Sequence, residues 1–129
     1  MTTDLSMLTL TAGLTALMWL PYILQRIMEH GLMPTITYQS DDKPITAWAE
    51  RAKAAHYNAI ENLAPFAALV LVANATGAAN AATAAACTAY FWIRLAHYVV
   101  YIAAIPFART ICFAIGWAAM LCIFYQIES

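Results

Sequence analysis

Charged side chains are missing from three long stretches of this chain, and this constrains the fold more than any other feature. No charge occurs in residues 5–25, between Glu61 and Arg94, or in residues 110–127. A bilayer core about 30 Å thick is crossed by roughly 20 apolar residues in a helix. The chain is 64% hydrophobic and only 10% charged, whereas soluble domains average about 25% charged residues. We therefore expect an integral membrane protein, and its net charge of −1 gives no reason to expect nucleic-acid binding.

The uncharged stretches and the turn-forming residues between them predict four helices. The middle stretch is too long for one span, and the segment NATGAAN around Gly77 divides it into two helices. Pro21 predicts a kink or a loosened turn in the first helix, Gly31 is suited to end that helix, and Pro106 ends the third. We expect one domain over residues 1–129, an all-α integral membrane four-helix bundle with up-down-up-down connections. The expected helices are residues 5–30, 46–74, 79–104 and 108–127.

Basic residues are unevenly distributed between the two ends of these helices. Five of them lie at the end that holds the loop after the first helix: Arg26, Lys43, Arg51, Lys53 and Arg109. The opposite end carries Asp4 and Glu128 and no lysine or arginine. Basic residues favour the cytoplasmic side of a membrane. We therefore expect a multi-pass protein of a bacterial inner membrane, with both termini outside the cytoplasm.

Polar side chains form a stripe on the second predicted helix and another on the third, at about 100° per residue. The stripe on the second helix consists of Arg51, Asn58 and Asn62, with Glu61 on its flank. The stripe on the third helix consists of Tyr90, Arg94, His97 and Tyr101. A polar stripe within an apolar segment has to face something polar. These stripes therefore predict a polar cleft between the two helices that opens to the cytoplasm.

Arg94 is expected to lie deep in the membrane, roughly 15 Å from the cytoplasmic end of its helix. A charge at this depth is costly, and it normally marks a functional site or pairs with a neighbour. Glu61 is the only acidic residue at a comparable depth, so we expect a Glu61–Arg94 ion pair. The pair alone would be compatible with a purely structural link between helices, but the additional polar groups around it favour a ligand site.

The types of charge in this region favour a small zwitterionic ligand. Arg26, Arg51 and Arg109 at the rim are suited to bind carboxylates, and Glu61 with the asparagines is suited to an amine and to amide groups. Tyr101 can donate to a thiolate, and a nearby arginine lowers the pKa of a thiol. A ligand with carboxylates, an amine and a thiol fits this set. The three cysteines lie in apolar stretches without CxxC spacing, so no metal site is expected.

The sequence resembles MAPEG, the membrane-associated proteins of eicosanoid and glutathione metabolism. The resemblance rests on AHYNAIEN followed by Pro65-Phe66, and on FWIRLAHYVVYIAAIPFARTICFAIGW from Phe91 to Trp117. It covers essentially the whole chain as a single MAPEG-like transmembrane domain, and it implies a homotrimer with glutathione as co-substrate bound between adjacent subunits. It also implies that Arg109 helps activate the thiol. With the stripes above, the expected glutathione-binding residues are Arg26, Arg51, Asn58, Glu61, Arg94, His97 and Tyr101, and the expected catalytic residues are Arg109 and Tyr101.

Two functions are compatible with the resemblance. The first is a membrane-embedded glutathione-dependent transferase or peroxidase that acts on lipophilic electrophiles or hydroperoxides. The alternative is a non-catalytic membrane trimer that binds membrane lipid or another lipophilic small molecule, because the family includes a member without enzymatic activity. Tyr57 and Ala54 favour the alternative, since prostaglandin E synthase-like and leukotriene-forming members carry an arginine at the position of Tyr57, and the family often has one at that of Ala54.

Overall fold

The computed structural model describes residues 1–129, and its regular structure is entirely helical. The helices in chain order are α1 (Thr3–Leu17), α2 (Leu20–His30), α3 (Leu32–Ile36), α4 (Ala47–Ala75), α5 (Ala81–Ile102) and α6 (Ala108–Glu128). The ends of α4, α5 and α6 differ by at most two residues from those expected of the last three predicted helices. The first predicted helix is divided into α1 and α2, and the loop expected after it contains α3.

The division between α1 and α2 follows from Pro21. A proline ring clashes with the carbonyl four residues earlier, here that of Leu17, and proline has no N–H to donate to it. The α1 helix ends at that residue, and Pro21 falls in the first turn of α2, where no N–H is needed. The hydroxyl of Tyr98 on α5 donates to the carbonyl of Met18 at 3.1 Å. Met18 and Trp19 keep helical dihedral angles, so Pro21 loosens one turn of the helix, and a side chain from α5 donates to a carbonyl in that turn.

The connection from α2 to α4 is folded back against α2 by an arginine. Gly31 ends α2 with a φ of 94°, a conformation that glycine adopts without steric cost. Arg26 is buried, and its Nη1 donates to the carbonyls of Ser40 and Lys43. These contacts hold residues 31–46 at the same end of the molecule as the start of α4.

A tight turn places α4 and α5 side by side in opposite directions. Gly77 has a φ of 75° in this turn, and the N–H groups of Ala78 and Ala79 both donate to the carbonyl of Ala73. Asn80 then caps α5, since its side chain accepts from the N–H of Thr83 at 3.0 Å. The antiparallel arrangement brings the polar stripes of α4 and α5 to the same level.

The helices α1, α4, α5 and α6 pack against one another around an apolar core near the turn between α4 and α5. The rings of Phe66 and Tyr90 are stacked there with centroids 3.8 Å apart. Small side chains allow α4 to approach its neighbours closely. The buried alanines of α4 nearer its start are Ala49, Ala52, Ala55 and Ala59. In a membrane such contacts stabilise the fold through packing, because lipid tails are as apolar as the core.

Three helical segments are long and apolar enough to cross a membrane, namely Thr3–His30 taken through its break, Ala47–Ala75 and Ala108–Glu128. The prediction of a membrane protein with apolar helices therefore agrees with the structure. The α5 helix has 22 residues but is not among the three, because Arg94 and His97 lower its hydropathy.

Candidate functional site

Arg94 is the centre of a polar layer between α4 and α5. Its side chain is only 3% exposed, and its Nη2 donates to Oδ1 of Asn58 at 2.6 Å. The Nδ2 of Asn62 donates to the backbone carbonyl of Asn58 at 2.9 Å and, at 3.4 Å, to the same Oδ1 that accepts from Arg94. The Nε of Arg94 is buried without a hydrogen-bond partner. The layer therefore holds a buried positive charge with one direct neutral acceptor and a free donor.

The prediction of an ion pair between Glu61 and Arg94 is wrong. Glu61 is exposed on the outside of α4, and the acceptor for Arg94 is Asn58. Asn58 and Glu61 are three residues apart, so about 60° separates their directions on a helix. In the structure Asn58 points toward α5, and the carboxylate of Glu61 therefore points away from that helix.

A cleft opens beside this layer at the end of the molecule where α5 ends and α6 begins. It consists of an outer cavity of about 520 Å³ and an inner cavity of about 230 Å³. The two share three lining residues, Tyr101, Arg109 and Thr110. The inner cavity is also lined by Asn58 and His97. The cleft therefore leads from the rim of the molecule toward the polar layer.

Arg109 and Tyr101 are in direct contact at the junction of the two cavities. The guanidinium carbon of Arg109 lies 4.7 Å from the centroid of the Tyr101 ring, within the range of a cation–π interaction. His97 lies edge-on to the same ring, with centroids 5.6 Å apart. Arg109 itself is exposed and Tyr101 is half-buried. The junction thus presents a positively charged group on the face of a phenol ring, with a buried imidazole edge-on to that ring.

Arg51 forms the outer rim of the cleft on α4. Its Nε donates to the carbonyl of Ile102 at 2.9 Å, which is one of the carbonyls left free at the end of α5. This bond fixes the guanidinium against the mouth of the outer cavity, where Glu50 and Ala54 are its neighbours on the same helix. The stripe predicted on α4 therefore faces α5, as Arg51 and Asn58 both contact it.

Two residues in left-handed conformation shape the connection between α5 and α6. Ala104 has a φ of 58° and Phe107 a φ of 66°. Each costs roughly 1 kcal/mol relative to an ordinary conformation, because the β-carbon approaches the following carbonyl. Both residues line the outer cavity, together with Ile105 and Pro106 between them.

The structure brings together six of the eight predicted site residues and leaves two apart. Arg51, Asn58, Arg94, His97, Tyr101 and Arg109 lie in the cleft or in the layer beside it. Arg26 is buried against the loop carbonyls, and Glu61 faces outward. Four further residues that line the cleft were not predicted from the sequence: Glu50, Phe107, Thr110 and Phe113. The only signal for Phe107 is its position directly after Pro106, where a helix connection is expected.

His56 has a packing role and does not contact the cleft. Its Nδ1 lies 2.9 Å from the hydroxyl of Tyr22, and the imidazole is buried between α2 and α4. This agrees with the direction of His56 in the helix, which differs from that of the polar stripe.

Comparison with known proteins gives one family. A model of the MAPEG family matches residues 5–127. No curated protein matches the chain, and no solved structure matches it. The family match spans nearly the whole chain and includes every residue of the cleft.

Proposed function

The chain belongs to the MAPEG family, and from this membership we propose that it is a membrane-embedded glutathione-dependent transferase or peroxidase. Its second substrate would be a lipophilic electrophile or hydroperoxide. The observation that carries the proposal is the contact between Arg109 and Tyr101 at the junction of the cleft. The Arg109 guanidinium lies on the face of the Tyr101 ring, and a cation in the cleft is suited to stabilise a thiolate, which is the reactive form of a thiol.

The remaining polar groups of the cleft are suited to the peptide part of glutathione. Arg51 at the rim presents a guanidinium that can bind a carboxylate through two parallel hydrogen bonds. Deeper in the cleft, Asn58 and His97 line the inner cavity and can hydrogen-bond amide groups. Arg94 acts behind them, because its charge favours an anionic ligand and its contact with Asn58 fixes that side chain.

Conjugation and peroxide reduction would both begin with the thiolate. In conjugation, its lone pair forms a C–S bond to the electrophilic carbon, and the leaving group departs with its electron pair. In peroxide reduction, the sulfur attacks an oxygen of the O–O bond, and the alkoxide that leaves takes up a proton. The resulting sulfenic acid then reacts with a second glutathione to give the disulfide and water. Arg109 and Tyr101 would hold the sulfur in both reactions.

The proposal is tested with the protein purified in detergent. We expect calorimetry to show glutathione binding. We also expect conjugation of a chlorodinitrobenzene, which is followed through the absorbance of the conjugate. Reduction of an organic hydroperoxide would be measured through the glutathione disulfide formed. Absence of calorimetric binding together with absence of both turnovers would overturn the proposed function.

We further propose that the functional unit is a homotrimer of four-span protomers with up-down-up-down topology. The basic residues of the α2–α4 connection, the start of α4 and the start of α6 would lie at the cytoplasmic face of a bacterial inner membrane. In this assembly the exposed Glu61 would reach a ligand across the interface between copies. We expect a mass of three chains in detergent, and single cysteines placed at both termini should react with an impermeant thiol reagent from outside. A monomeric mass or labelling only from the cytoplasm would contradict this arrangement.

A second candidate function is the non-catalytic binding of a lipid or lipophilic molecule. It is favoured by two positions where the family resemblance implies an arginine and this chain has none. Ala54 lines the outer cavity without a charge, and Tyr57 is 51% exposed on the outside of α4. This function predicts lipid that co-purifies with the protein, and it predicts that Arg109→Ala leaves lipid content unchanged. Lipid-free protein that still binds glutathione would exclude it.

A further inference from the structure

An exposed aromatic side chain on a left-handed backbone stands at the mouth of the cleft. Phe107 is 82% exposed, has a φ of 66° and lines the outer cavity with Tyr101 and Arg109. Left-handed conformations are unusual for bulky residues, and such outliers cluster at functional sites. Phe107 is not part of the buried core, and its positive φ occurs in a turn that has no glycine at this position.

The outer cavity has an apolar wall opposite a charged one. The connection between α5 and α6 supplies the apolar wall, since Ile105 and Pro106 line the cavity beside Phe107 and are also exposed. Across the cavity, α4 supplies Glu50 and Arg51. Tyr101 and Arg109, which contact each other, line the same cavity. A charged peptide and an apolar molecule can therefore approach the same reactive position from different sides.

Building on the proposed function, we propose that Phe107 determines specificity for the lipophilic co-substrate by packing against its apolar tail. The co-substrate class is an electrophile with an extended alkyl chain, such as a 2-alkenal. In its reaction, the glutathione sulfur forms a bond to the β-carbon, the electron pair of the double bond moves to the α-carbon, and the α-carbon takes up a proton from water. Phe107 contacts the chain beyond the reacting carbons, so it acts on recognition and not on the chemical step.

The test measures how substrate recognition depends on chain length. For Phe107→Ala, we expect KM to rise about tenfold for long 2-alkenals, the loss expected when an aromatic contact of this size is removed. The KM for the shortest 2-alkenal, the KM for glutathione and kcat should not change. Phe107→Leu should recover part of the loss, because it restores apolar area without the ring.

Tyr38 offers a matched control for effects on membrane association. It is also aromatic, 82% exposed and left-handed, with a φ of 70°, but it lies in the α2–α4 connection and does not line the cleft. Tyr38→Ala should leave every KM unchanged. An equal rise in KM for both variants, or a rise that does not depend on chain length, would overturn the assignment of Phe107.

A binding measurement separates this inference from the proposed activity. S-alkyl glutathione conjugates of increasing chain length are titrated by calorimetry, which needs no turnover. We expect affinity to increase with chain length and Phe107→Ala to remove that increase. If the increase is present and lost in the variant while no substrate is turned over, the catalytic proposal fails and the role of Phe107 holds. If affinity does not depend on chain length, or the variant retains the dependence, the role of Phe107 is refuted.

Discussion

Replacing Arg109 with alanine is expected to lower kcat for glutathione conjugation by about a hundredfold or more, the usual effect of removing a group that stabilises developing or reactive charge. The guanidinium lies against the Tyr101 ring at the junction of the two cavities, where the proposed thiolate would form. A cation there favours the ionised thiol and lowers its pKa. Its loss should therefore move the rising limb of the pH–rate profile to higher pH, which stopped-flow or steady-state rates over a pH series will show.

Three further variants identify what Arg109 contributes. Arg109→Lys keeps the charge without the planar fork and should retain part of the rate. Tyr101→Phe keeps the ring under the guanidinium but removes the hydroxyl, so an unchanged rate would assign Tyr101 to positioning Arg109 only. Lys43→Ala removes another exposed charge from the same end and should leave kcat unaltered. Full activity and an unshifted pH profile in Arg109→Ala would contradict a role for this residue in thiol activation.

The positions of the helices follow from local features of the sequence. Uncharged stretches show where the apolar segments lie. The residues that end these segments do so because of their own backbone conformations. Gly31 and Gly77 both have positive φ, and Pro21 loosens the helix by steric clash with the preceding turn. The loosened turn before Pro21 agrees with the prediction, and Tyr98 on another helix provides a hydrogen bond to the backbone there. That partner depends on tertiary packing and cannot be inferred from the local sequence.

The sequence predicts the candidate site only in part, because the expectations that were based on charge failed. Periodicity correctly indicates that the stripe on α4 faces α5, but it cannot rank neighbouring residues about 60° apart on a helix. Opposite charge favoured Glu61 as the partner of Arg94, whereas the structure uses the amide oxygen of Asn58. Arg26 was expected at the cleft because it is basic and near the rim. Its burial against loop carbonyls depends on how the connection folds back, which no periodicity encodes.

The apolar wall of the cleft could not be predicted, because it depends on backbone conformation in a short connection. Ala104 and Phe107 adopt positive φ without being glycine, asparagine or aspartate, the residue types that normally indicate such a conformation. The family match constrains the overall chain but not these two dihedral angles. The outward direction of Phe107 is therefore information that only the three-dimensional structure supplies.

The contact between Asn58 and Arg94 is expected to have a large effect on stability as well as on binding. Asn58→Leu removes the acceptor at 2.6 Å from Nη2 and leaves a buried charge whose Nε already has no partner. Hydrogen bonds to charged groups contribute about 2 kcal/mol, so the free energy of unfolding should fall by about this amount. Unfolding in mixed micelles of increasing denaturing detergent, followed by circular dichroism, measures the loss.

A double substitution distinguishes the cost of the unpaired charge from other damage to the fold. Arg94→Met replaces the charge with an apolar side chain of similar length, and replacing both members of a buried polar pair by apolar groups is often neutral or stabilising. Asn58→Leu combined with Arg94→Met should therefore recover most of the stability lost in Asn58→Leu alone, yet calorimetry should show glutathione binding abolished in the double variant. A double variant as unstable as Asn58→Leu would show that the loss comes from packing of the leucine and not from the charge. Recovery of stability with glutathione binding intact would instead restrict Arg94 to a structural role and remove it from the proposed site.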